Sequence, residues 1–298
     1  MSQSHLFPIT HFKTGFTTCA SVSHPSLTSV PLTDDALGVH KAFSLPHELV
    51  APPSSPDPSY PEAGTTPDGA PAPGTAWQAR YPKGSINPRS DREGGSVFYI
   101  AGPPDFAKAL EESREALISY RVLLDAEWEW VRGGKMPGMY GGEGDLAYHC
   151  SGGRQSERCR CFNLRLMWRA HGHGELYAYL PPSDTNKNRL SAVPPRSIVN
   201  PDYGVSAGRG AFIWPKARWV TLAERVRLND VGQANGEVQV WVDGQSVINV
   251  NGLILRENAD SRIKGIHFST FFGGHEPEWA SPKDLRAWFS DFSGAVIE

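Results

Sequence analysis

Period-two alternation of apolar and polar residues, cut at short intervals by turn dipeptides, confines this chain to β architecture. The clearest run sets Val238, Val240 and Val242 against Glu237, Gln239 and Trp241, bracketed by Asn235-Gly236 and Asp243-Gly244. Residues two apart in a strand share a face, so the valines point toward a core and the others away from it. Aromatics on that second face, Trp241 among them, could bind sugar. Strand signals recur at 77–83, 96–101, 116–124, 127–131, 161–169, 175–180, 219–228, 237–243, 246–250, 264–272 and 287–297, and only 104–117 reads as a short helix. Short strands separated by Gly-containing turns, with no repeat of solenoid or propeller period, predict an all-β fold. The expected form is a jelly roll or two-sheet antiparallel β-sandwich.

With 298 residues the chain can bury a large core, and one β domain over 76–298 is expected. It is preceded by an arm, 1–75, that could supply an edge strand. Within the arm, 51–75 is rich in Pro, Ser and Gly and reads as an extended or disordered loop. The net charge of -3 supplies no global field for nucleic acid, so an anionic ligand must be met by a local basic site. No apolar run approaches the roughly 20 residues of a membrane-spanning helix, and a soluble chain with no membrane partner is expected. The N-terminus lacks the basic start and apolar stretch of a secretory signal. Of the four cysteines, Cys150, Cys159 and Cys161 cluster. Zinc is the alternative to a disulfide there but lacks a fourth local ligand, since His149 adjoins Cys150 and would chelate awkwardly. A loop-closing disulfide between Cys150 and Cys161 is preferred, with Cys19 and Cys159 as a second candidate pair.

The chemistry concentrates between Asn163 and Tyr179. Asn163, Arg165 and Met167 share one strand face, as do Tyr177 and Tyr179, and the turn His171-Gly172-His173-Gly174 makes the two strands antiparallel neighbours. Arginine and tyrosines then stand within two or three strand spacings of about 4.8 Å. Upstream, Lys135 in Gly-Gly-Lys-Met-Pro-Gly could bend a long amine over this face. β-Elimination on a uronate needs its carboxylate neutralised, a base for the C5 proton and an acid for the departing O4. Arginine and lysine suit the first need. Tyrosine suits the others once a neighbouring cation favours phenolate.

These residues carry a family resemblance. From Trp77 onward the chain resembles polysaccharide lyase family 14, with the glucuronan lyases of family 20 as relatives. The matching segments are Ala79–Ser85, Gly133–Gly142, Cys150–Arg154, Arg165–Arg169, Gly174–Tyr179, Asn235–Asp243 and Gly265–Gly274. The resemblance implies a jelly roll whose concave groove cleaves alginate or a glucuronic-acid polymer. It implies Lys135 and Tyr179 as the principal catalytic pair, with Arg165 and Tyr177 holding the carboxylate and supporting proton transfer. The family pattern carries serine two residues before this arginine; here Asn163 stands in that place as a substrate-binding residue. The segment 51–75 resembles an addition to the family core. Further substrate contacts are expected from Arg154 and Gln155 in the cysteine loop, from His267, and from Arg80 and Lys83. No cofactor is required, although Asp230, Asp243 and Asp291 could give oxygen ligands to a structural calcium. An acidic polysaccharide is the expected partner, the protein a monomer, and secretion the expected location on the strength of the disulfide and the polymeric substrate.

Rival readings remain. Asp125, Glu127 and Glu129 alternate as the carboxylates of a retaining glycosidase do, with working carboxyls about 5 Å apart; they could equally pair with Arg121 or Arg132 or face water. A non-catalytic acidic-carbohydrate-binding sandwich is the other rival, with Asn163 as its hint. His149, His171 and His173 invite a metal reading but are expected to be solvated, and Trp214-Pro-Lys216-Ala-Arg218-Trp219 reads as an aromatic and basic patch for sugar.

Overall fold

A computed structural model of the chain describes residues 4–54, 57–88 and 90–298, so residues 55 and 56 of the predicted Pro-rich loop lie outside the described residues. Among the described residues the first strands are β1 (Thr14–Thr17), β2 (Leu27–Ser29), β3 (Val39–Ser44), β4 (Glu48–Val50), β5 (Ala76–Tyr81), β6 (Ser96–Ile100), β7 (Glu115–Leu124) and β8 (Gly133–Glu143). They continue as β9 (Cys161–Arg169), β10 (His173–Tyr179), β11 (Ile198–Val199), β12 (Val205–Ile213), β13 (Trp219–Arg227), β14 (Gly236–Val242), β15 (Gln245–Leu253), β16 (Ser261–Phe272) and β17 (Leu285–Val296). One sheet of nine strands runs β15-β14-β13-β7-β17-β1-β2, with β5 beside β17 and β4 beside β5; the other, of eight, runs β11-β12-β10-β9-β8-β16-β6-β3. Apart from the parallel β1–β2 pair, the pairings are antiparallel. This is the all-β two-sheet architecture that the alternation predicts.

The core lies between the sheets. Val238 and Val240 are buried in it, and Phe268 stacks on Phe98 with ring centroids 4.3 Å apart. Each such side chain removed from water contributes about 1.5–3 kcal/mol. The nine-stranded sheet is covered on its outer face too. Leu6 and Phe7 of the arm pack on Leu117, Ala223 and Trp241, while Tyr60 and Ala63 pack near Leu123, Trp219 and Trp288. Trp241 is therefore buried under the arm rather than presented to sugar, and Trp214 and Trp219 are buried as well, with Arg218 bound to Asp243 at 3.0 Å. The segment 57–75 is likewise no free loop: Arg121, wholly buried, donates to both carboxylate oxygens of Asp68 at 2.8 and 2.7 Å and to Asp291 at 2.7 Å.

Several local expectations change for physical reasons. Residues 127–131 form no strand, because β7 and β8 lie in different sheets and this segment is the crossover between them; Trp128 plugs the core against Trp168 and Phe272 while Glu127 and Glu129 face outward. The helix α1 spans Pro104–Glu112 and gives way to β7 at Glu115. The strands β8 and β12 and the helix α2 (Asp184–Ser191) had no clear periodic signal. In β8 the glycines that hide the pattern serve close approach: a Cβ at Gly138 would lie 2.1 Å from the Leu164 carbonyl oxygen.

Candidate active site

The eight-stranded sheet presents six of the predicted residues on its face away from the core. β9 and β10 pair with Arg165 opposite Tyr177 and Asn163 opposite Tyr179. β8 lies on the other side of β9 with Lys135 opposite Met167 and Gly138 opposite Arg165, and β16 follows with His267 opposite Gly138. Alternation sends Leu164, Leu166 and Leu176 to the core and Asn163, Arg165, Tyr177 and Tyr179 the other way. Lys135, Asn163, Arg165, Tyr177, Tyr179 and His267 thus meet on four adjacent strands.

Apart from the half-buried Lys135, these side chains are buried. Lys135 Nζ sits 3.6 Å from the centroid of the Tyr177 ring and 2.9 Å from Met167 Sδ. Burial, with Arg165 and Arg169 nearby, holds its amine well below the usual lysine range. Tyr177 and Tyr179 meet edge to face at 5.4 Å, and burial, followed by the Tyr179 contact, pushes the Tyr177 hydroxyl up, so it stays a protonated donor. Arg165 Nη1 donates to Ser269 Oγ at 3.2 Å, and its guanidinium carbon lies 6.0 Å from the Tyr179 ring centroid. Asn163 Nδ2 and His267 Nδ1 are 2.8 Å apart, and His267 stacks on Tyr99 at 4.4 Å. Burial, then Arg165 and Lys135, hold His267 well below the usual histidine range, so the ring is neutral. Arg165 Nε and Asn163 Oδ1 are buried without a hydrogen-bond partner among the described residues, a donor and an acceptor left for something else.

The disulfide between Cys150 and Cys161 is present, with Cα atoms 5.7 Å apart. The second pair is not: Cys19 and Cys159 are free, and Cys19 is buried beside Arg121 on the other sheet. The disulfide loop reaches the site through a residue that sequence reasoning missed. Arg158 lies 5.5 Å from the Tyr179 ring and donates to the Tyr203 carbonyl at 2.7 Å. Gln155 is exposed and donates to the Asp202 carbonyl at 2.6 Å, tying the loop to 200–204, while Arg154 is exposed and its charge lowers Tyr99 against the larger opposing effect of burial. Also unforeseen is the buried Glu175, one residue pair along from Tyr177, held by Arg169 at 2.6 Å and Arg209 at 2.7 Å. Burial opposes its charge, yet the arginines and Ser206 keep it below the usual carboxylate range. A signal for it existed in the alternation Glu175, Tyr177, Tyr179.

Arg80 and Lys83 do not join this cluster. Arg80 belongs to β5 of the other sheet and binds Glu48 at 2.7 Å, and the Lys83 amide donates to Asp284. Glu127 and Glu129 both bind Lys283, at 3.3 and 2.8 Å, and lie on a crossover that forms no strand, so the shared strand face that the glycosidase reading required is not there. Asp230, Asp243 and Asp291 each pair with a different arginine, and among the described residues no group of three His, Cys, Asp or Glu is gathered for a metal.

The sequence model of the polysaccharide lyase 14 family matches residues 70–292. Among solved structures, the chain is similar to a marine alginate lyase of that family from Aplysia kurodai, with 28% identity over 96% of this chain and 100% of that one and a TM-score of 0.71. It shares the fold of alginate lyase vAL-1 from Chlorella virus, at 19% identity over 88% of this chain and 93% of that one with a TM-score of 0.64. It shares it also with alginate lyase Aly36B, at 20% identity over 78% and 83% with a TM-score of 0.56. No curated protein matches.

Proposed function

Because the chain belongs to polysaccharide lyase family 14, we propose that the face carrying Lys135, Arg165, Tyr177 and Tyr179 cleaves a polyuronate by β-elimination, with alginate the first substrate to test given the Aplysia relative. The observation that carries this reading is Lys135 Nζ lying 3.6 Å over Tyr177, itself opposite Arg165 in register: an amine whose hold on its proton is weakened by burial, beside a fixed cation.

Each group has a task that suits its state. Arg165, with its free Nε, and the protonated Tyr177 hydroxyl donate to the uronate carboxylate, which makes the C5 proton acidic. Asn163 Oδ1 accepts from a sugar hydroxyl, and neutral His267, stacked on Tyr99, holds the asparagine in place. Lys135 takes the C5 proton; the C–H electron pair becomes the C4–C5 double bond, the C4–O4 bond breaks, and the Tyr179 hydroxyl gives its proton to O4. The Lys135 ammonium then returns a proton to the Tyr179 phenolate through solvent. Charge neutralisation comes from side chains, so chelators are expected to leave the rate unchanged. The Cys150–Cys161 bond supports action in an oxidising, extracellular setting, and the enzyme is expected to work as a monomer, which size-exclusion chromatography checks.

The test follows ultraviolet absorbance of unsaturated uronate ends on alginate and glucuronan across pH. No increase with any polyuronate overturns the reading. Saturated ends would instead indicate hydrolysis. Since a protonated Lys135 is no base, kcat/KM is expected to fall as pH drops through its depressed value, giving an acidic limb well below the ordinary lysine range.

A further inference from the structure

The strand β8 carries one residue too many for its partner. Pairing with β9 slips between Met136 and Gly138, so Pro137, which has no N–H to donate, occupies a β-bulge. Strand parity makes this slip consequential. Lys135 and Tyr140 are five apart and would face opposite sides of a regular strand, yet Lys135 contacts Tyr177 and Tyr140 contacts Tyr99 and His267 on the same face, while Met136 and Met139 are both wholly buried in the core. A bulge also leaves backbone groups without ladder partners. Here two of them point into the core and are met from the opposite sheet: Tyr120 of β7 donates its hydroxyl to the Pro137 carbonyl at 3.0 Å, and Glu224 of β13 accepts from the Met139 amide at 3.0 Å.

We propose that Tyr120 and Glu224 are positioning residues for the lyase reaction, propping the Pro137 bulge from behind the sheet so that Lys135 is delivered to the Arg165–Tyr177 face. Both side chains are nearly wholly buried, and polar atoms at such depth are costly unless matched, which makes them effective clamps on one backbone geometry. Burial lifts the Glu224 carboxyl to about 8, which favours the uncharged form at neutral pH; its Oε2 accepts from the Met139 amide, and its Oε1 has no partner among the described residues. Neither side chain reaches the site face, so their effect on catalysis passes through β8.

This inference rests on the lyase reading, and the experiment separates the two. Kinetics on the best polyuronate are combined with hydrogen exchange of peptides covering 133–143 for Tyr120→Phe, Glu224→Leu and Glu224→Gln. Removing the donor or the acceptor is expected to lower kcat by about tenfold to a hundredfold, the scale of a misplacement near 1 Å, with KM changed less than twofold and exchange in β8 accelerated. Glu224→Gln keeps an acceptor and is expected to recover most of the rate lost in the leucine variant. A folded Tyr120→Phe or Glu224→Leu protein with wild-type kcat and unchanged β8 exchange overturns the proposal, as does a glutamine variant as impaired as the leucine one. Should Glu224→Leu fail to fold, Tyr120→Phe decides. A wild-type protein inert on every polyuronate defeats the lyase reading instead, while hydrogen exchange still reports whether the bulge is propped.

Discussion

Tyr179 and Arg165 differ in what a small substitution removes. Tyr179→Phe deletes one hydroxyl from a buried ring packed against Tyr177, so melting temperature should hold while the rate falls by about 10²–10⁴-fold, the usual contribution of a positioned acid or base. Arg165→Lys keeps the charge but loses the planar fork that donates to Ser269 and leaves Nε free. Both kcat and KM should worsen, measured on alginate fragments of defined length. Glu224 gives a prediction about stability. Its folded carboxyl titrates near 8, above the ordinary carboxyl range of the unfolded chain, so the folded state holds the extra proton between those values. Stability from this group is full below the unfolded value and declines as pH rises toward about 8. Denaturant titrations should show that decline in the wild type and a flatter profile in Glu224→Gln.

At the scale of elements, the hairpin β9–β10 was legible because alternation and a glycine turn specify a face without any knowledge of neighbours. Its partner β8 was not. Gly133-Gly134-Lys135-Met136-Pro137-Gly138 reads as loop by propensity, and only the close approach of β9 and β16 on either side makes a strand of it. The disulfide loop shows the converse: Cys150 and Cys161 were visible as a pair, but the placement of Arg158 over Tyr179 depends on where the closed loop lands. With a separation of 11 residues, loop-closure entropy implies that reduction costs about 2–3 kcal/mol. A lower melting temperature with dithiothreitol, accompanied by loss of activity as Arg158 and the Gln155 tie to Asp202 loosen, is the expected result.

Across the whole molecule, the two sheets are used differently. The nine-stranded sheet is sealed by the arm and by 57–75, fastened through Arg121 to Asp68 and Asp291, while the outer face of the eight-stranded sheet is the one proposed to take polymer. Asp68→Ala strands half of a buried charge network and should cost about 3–5 kcal/mol in denaturant unfolding. What the amino-acid order determined by itself was whatever depends on near neighbours along the chain: strand periodicity, the all-β class, the Arg165, Tyr177 and Tyr179 face, and the Cys150–Cys161 pair. Tertiary structure decided what depends on strand partners far away in sequence. It placed Arg80 in the sheet opposite Lys135, made a crossover of the alternating Glu127–Val131 segment, and brought Tyr120 and Glu224 behind β8. The physical reason is that a strand's face is set by local parity, whereas its partners, its bulges and the burial that shifts a lysine or a glutamate arise only when the two sheets close on each other.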